Sequence, residues 1–137
     1  MFAVIKRIAQ LILNLGTIRM SQTKNIIAID KRFNETFRFD GKEMPATFRR
    51  QPEWVFVVTY RKFQENRNNI VGAYYRRKLA AIERKTGIHI ENNPNFGKGL
   101  IIGHYGRIII NGSVKFGDQI YICLLYTSDA ADDLTRV

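Results

Sequence analysis

One cysteine and two histidines in 137 residues restrict the chemistry at the outset. With Cys123 alone, no internal disulfide can form and nothing points to an oxidising compartment. Acidic residues are also scarce: 12 Asp and Glu stand against 22 Lys and Arg, a formal charge of +10. That imbalance favours an anionic partner, whether nucleic acid, a membrane face or a phosphorylated cofactor, although solvated basic helix faces explain it as simply. Long apolar runs are missing too. Met1 to Leu15 is apolar but interrupted by Lys6 and Arg7, too short a stretch to span a bilayer, and no A-x-A-like cleavage site follows it. The segment reads as a short amphipathic helix, or as residues ahead of a true start at Met20, with a secretory signal the weaker option.

What is present is a period. Ile90, Phe96, Ile102, Ile108, Val114 and Ile120 fall six residues apart, with glycines and turn formers between them. Neither a helix nor a hairpin calls for that spacing, whereas a parallel β-helix does, because each six-residue unit sends one side chain inward and then turns a corner. Phe96-Gly97 is echoed by Phe116-Gly117 twenty residues later, which places a two-residue slip between Ile108 and Phe116 and would turn Ile110 inward. Two or three ordinary strands with glycine turns are the plainer alternative. The fold expected is an α + β-solenoid: an N-terminal helical region followed by an incomplete left-handed parallel β-helix.

The chain divides accordingly. Residues 1–47 form a lead-in, polar and irregular from Ser21 to Pro45. Residues 48–87 form a helical region, although Phe48 to Phe63 is rich enough in β-branched residues to suit a strand equally well. Val71, Tyr74, Tyr75, Leu79 and Ile82 make one apolar stripe between basic residues, which is an amphipathic helix with its aromatics turned to the core. Gly87 stands where a left-handed cap would end it. Residues 88–122 hold about two coils of the β-helix. Cys123 to Asp133, CLLYTSDAADD, resembles the translation of a transposase-end sequencing adaptor, so 123–137 is expected to be a non-native tail, with an ordinary flexible terminus as the alternative. Removing it takes away one base and three acids and leaves 21 against 9.

His104 lies between Gly103 and Tyr105-Gly106, where the flanking glycines open the backbone around an imidazole suited to general-base work at neutral pH. From Lys85 to Ile122 the ordered run GIHI, FGKGLIIGHYGRIIIN and VKFGD resembles the serine acetyltransferase branch of the hexapeptide-repeat acyltransferases. The resemblance implies that His104 is the general base, that acetyl-CoA is the acyl donor, and that a small hydroxyl compound is the acceptor. It further implies a homotrimer when full length, helical structure over Phe48 to Phe63, and a cofactor site mostly in later coils, so that this stretch alone is expected to be inactive. No metal, nucleic acid or membrane span is expected, and the location is expected to be cytoplasmic.

Two departures bear on the acceptor. Serine-using members pair the base with an aspartate where this chain has His89. Glu91, on the same strand face, is the candidate orienting carboxylate, with a solvated corner residue as its plain reading. Those members also often carry an aspartate before the histidine, where this chain has Gly103, which cannot pair with the ammonium of serine. The expected activity is serine O-acetyltransferase-like, as in cysteine biosynthesis. The alternatives are a sugar O-acetyltransferase of surface-polysaccharide synthesis and a non-catalytic basic binding module using Tyr74 and Tyr75.

Overall fold

The computed structural model describes residues 2–91 and 96–123. Three α-helices come first, α1 (Phe2–Phe39), α2 (Pro52–Glu65) and α3 (Ile70–Thr86), with a 3-10 turn at Phe48–Arg50 before α2. Four short strands follow: β1 (Ile88–Ile90), β2 (Ile101–Ile102), β3 (Ile108–Ile110) and β4 (Tyr121–Ile122). β1 pairs in parallel with β3 and β2 with β4, giving two separate two-stranded sheets.

This corrects the β-solenoid expected over 88–122. The described residues are mostly helical, and no left-handed β-helix is present among them. Strands of two or three residues leave most of the stretch in turns. The six-residue ladder also breaks: Phe96, Ile102 and Ile108 are buried, Ile90 and Ile120 are half-buried, and Val114 is exposed. Both strand pairs join residues twenty apart, Ile88 with Ile108 and Ile101 with Tyr121, so the period of six does not carry across them. The physical reason lies in what the inward side chains touch. Phe96, Leu100, Ile102, Ile108 and Ile110 enter one cluster with Met44, Trp54, Phe56 and Tyr60, so the helices supply their partners. Residues 92–95 of the expected coil, and 124–137 of the expected tail, lie outside the described residues. Cys123, the tail's first residue, is buried.

The irregular lead-in is corrected as well, since α1 runs unbroken to Phe39. Its stop is a left-handed pair, Asp40 (φ 52°) and Gly41 (φ 79°), with the Gly41 N–H donating to the Glu35 carbonyl at 3.0 Å. The Glu35 carboxylate then accepts the Met44 N–H at 2.8 Å and draws Met44 into the core. That hydrogen bond, aided by Lys31 and opposed by partial burial, holds the Glu35 carboxyl below its ordinary pKa.

Residues 48–63, open between strand and helix on composition, are helical from Pro52. Proline fits the first helical position because the N–H it lacks would have no partner there. Trp54, Phe56, Val57, Tyr60 and Phe63 then face the core. In α3 the Asn69 side chain caps the start by accepting the Gly72 N–H at 2.9 Å, and Gly87 closes the end in the left-handed conformation. Only part of the expected apolar stripe is covered. Tyr75, Leu79 and Ile82 pack against the core, whereas Val71 and Tyr74 are exposed, the latter with the Lys78 ammonium 5.2 Å from its ring centre.

Candidate functional site

The segment from Phe96 to Gly103 is positioned by a polar clamp built from three turns of α1 and one arginine of α2. Asp30, Asn34 and Arg38 stand four residues apart and therefore share one helix face. The Asp30 carboxylate is fully buried and accepts from Arg61 Nε at 2.7 Å, Arg61 Nη2 at 3.1 Å, Gly99 N at 2.9 Å and Leu100 N at 3.1 Å. Arg61 also donates to the carbonyls of Phe96 (2.8 Å) and Gly97 (2.6 Å), and distantly to Gln64 (3.4 Å), so all five of its N–H groups are engaged. Asn34 donates to the Leu100 carbonyl at 3.1 Å. Arg38 donates to the carbonyls of Ile102 and Gly103, the latter at 3.3 Å, while its guanidinium lies 4.8 Å from the Phe48 ring centre. Partial burial lowers the Arg38 pKa from its ordinary value. The residue immediately after these carbonyls is His104.

His104 is exposed, and its ring makes no hydrogen bond or ion pair with the described residues. The expectation that glycine opens space beside it is only half met. A Cβ at position 103 would overlap the Tyr121 hydroxyl and come within 2.8 Å of the Cys123 Cβ, so the missing side chain is replaced by a tyrosine from β4. Tyr121 itself leans on Phe37 of α1 with ring centres 4.8 Å apart. A hydrogen bond with Cys123, reinforced by burial, pushes the Tyr121 phenol above its ordinary pKa. The hydroxyl is therefore neutral at physiological pH and supplies no anion in place of the absent aspartate.

His89 and Glu91 are not brought onto the His104 ring. The Glu91 carboxylate accepts the Gly112 backbone N–H at 3.1 Å and ties the end of β1 to the turn after β3. His89 has its own carboxylate, Glu83 of α3, with Nδ1 to Oε1 at 2.7 Å and both side chains about two-fifths exposed. That contact favours the tautomer with hydrogen on Nδ1 and leaves Nε2 as the basic nitrogen. The pair lines a cleft of about 150 Å³ together with Arg76 and a floor of Phe56, Tyr60 and Ile88. A histidine oriented by a carboxylate is thus present, but it is His89. Position in the fold rather than spacing reveals it, since Glu83 lies six residues upstream on the preceding helix.

Among the described residues, no group of three or more His, Cys, Asp or Glu is placed to hold a metal ion, and no helix is long and apolar enough to cross a membrane. Arg76, Arg77, Lys78, Arg84 and Lys85 of α3 are exposed cations of a kind that suits phosphates. No protein-family model, curated protein or solved structure matches the chain. Reading the sequence alone passed over Asp30, Asn34, Arg38, Arg61 and Tyr121. The only signal of the first three was their four-residue spacing within a stretch that looked solvated.

Proposed function

We propose that the chain belongs to an O-acetyltransferase that moves an acetyl group from acetyl-CoA to a hydroxyl acceptor, in the manner of a serine acetyltransferase. The supporting observation is His104: a solvent-open imidazole, free of internal partners among the described residues, on a turn whose preceding carbonyls are tied to α1 by Arg38. The resemblance of residues 85–122 to that branch assigns the same histidine as base. In this reading His104 takes the proton of the acceptor hydroxyl as its oxygen attacks the thioester carbonyl. The tetrahedral intermediate then collapses, the carbon–sulfur bond breaks, and the imidazolium returns the proton to the departing thiolate. Arg38 acts as a positioning residue, and the basic face of α3 is suited to the phosphates of coenzyme A.

A sugar acceptor is the second reading, favoured by Gly103 and Tyr121. The place beside His104 where an anion would meet the ammonium of serine holds a neutral phenol, and a sugar hydroxyl needs no such anion. The test is thiol release from acetyl-CoA on the full chain, with serine and with monosaccharides as acceptors. His104→Ala is expected to lower the rate by about a hundredfold or more without changing the fold. An undiminished rate in folded His104→Ala, with the loss found instead in His89→Ala, would move the base to the Glu83-oriented imidazole.

A further inference from the structure

The side chains of residues 2–14, at the start of α1, are exposed. Val4, Ile5, Ile8, Leu11 and Ile12 are each more than half exposed, as are Phe2 and Leu13. At about 100° of rotation per residue these side chains sweep an arc of roughly 200°, while Lys6, Gln10, Asn14 and Arg7 occupy a polar arc of roughly 100°. Lys6 and Arg7 fall on opposite rims of that polar arc. The first 29 residues contain four basic residues, Lys6, Arg7, Arg19 and Lys24, and no acidic one.

We propose that residues 2–14 of α1 lie flat in the surface of an anionic phospholipid membrane, with the apolar arc among the upper acyl chains and Lys6 and Arg7 reaching back to the phosphates. No helix among the described residues is both long and apolar enough to cross a membrane, and in this one Lys6 and Arg7 interrupt the apolar stretch. A wide apolar face with cations at its rims is instead the pattern of an interfacial helix, because long basic side chains bury their stems and keep their heads at the headgroup level. A second copy of the chain fits less well. A helix pair needs a narrow seam, and an arc of this width would leave much of the apolar surface wet. This inference is independent of the acetyltransferase reading.

The test is co-sedimentation of the chain with vesicles of phosphatidylcholine alone and of phosphatidylcholine mixed with phosphatidylglycerol. Binding is expected to the anionic vesicles, to fall with added salt, and to weaken about fivefold for each charge removed in Lys6→Gln and Arg7→Gln. Ile8→Asp with Ile12→Asp is expected to abolish it. Both sites are exposed, so circular dichroism and the urea midpoint of that variant should match the parent. Four outcomes overturn the proposal: no binding to anionic vesicles, equal binding to both vesicle types, binding retained in the double aspartate variant, or self-association through residues 2–14 in place of vesicle binding.

Discussion

Replacing Arg61 with methionine tests whether the clamp holds α1, α2 and the Phe96–Gly103 segment together. The substitution keeps an unbranched side chain of similar reach but removes five donors at a site only 2% exposed. It strands a fully buried Asp30 carboxylate with two backbone N–H partners and leaves the Phe96 and Gly97 carbonyls without Arg61. Breaking a buried ion pair from one side costs about 3–5 kcal/mol, a large part of the roughly 5–15 kcal/mol that holds a domain folded. With a urea dependence of about 2 kcal/mol per molar, the midpoint should fall by roughly 2 M. Trp54 is the sole tryptophan and lies buried in α2, so its fluorescence reports the transition. Arg61→Lys should fall between, since it restores the charge but not the planar fork. Asp30→Asn combined with Arg61→Met should destabilise by clearly less than the sum of the two single variants. A loss below about 0.5 kcal/mol for Arg61→Met, the range of ordinary surface substitutions, would refute the clamp.

Two further outcomes are expected. Gly103→Ala should cost about 1–3 kcal/mol by driving a methyl group into Tyr121 and Cys123, and Tyr121→Ala should recover part of that loss; a neutral Gly103→Ala refutes the close approach. Glu35→Gln should lower the urea midpoint at neutral pH. Because the folded-state pKa of Glu35 is depressed, its contribution is present above the ordinary carboxylate value near 4.3 and is lost as pH falls through the lower folded value, so the gap between wild type and variant should close on acidification.

The helix over 70–86 and its glycine cap were legible because periodicity and capping are local. The β-helix suggested by the six-residue period is absent from the described residues, although the residues that suggested it are largely inward. A six-residue period says that a side chain is buried but not what it is buried against. Here Phe96 meets Tyr60 edge-on at 5.1 Å and stacks on Phe116 at 4.8 Å, so one ring joins the strand region to α2. Asp30 was illegible for the opposite reason. A carboxylate among charged and turn-forming residues reads as solvated, and only the approach of Arg61, 31 residues away, makes its burial tolerable. Likewise Glu91 matched the expected strand face, yet the carboxylate that orients an imidazole is Glu83, on a helix the spacing argument never joined to His89.

The 38 residues of α1 span about 57 Å as one rod, with no proline from end to end. The end that bears the apolar arm and the end that grips the carbonyls before His104 are therefore parts of one unbroken helix, with no linker between them. A surface holding residues 2–14 would act at the far end of the element that fixes the backbone ahead of that imidazole.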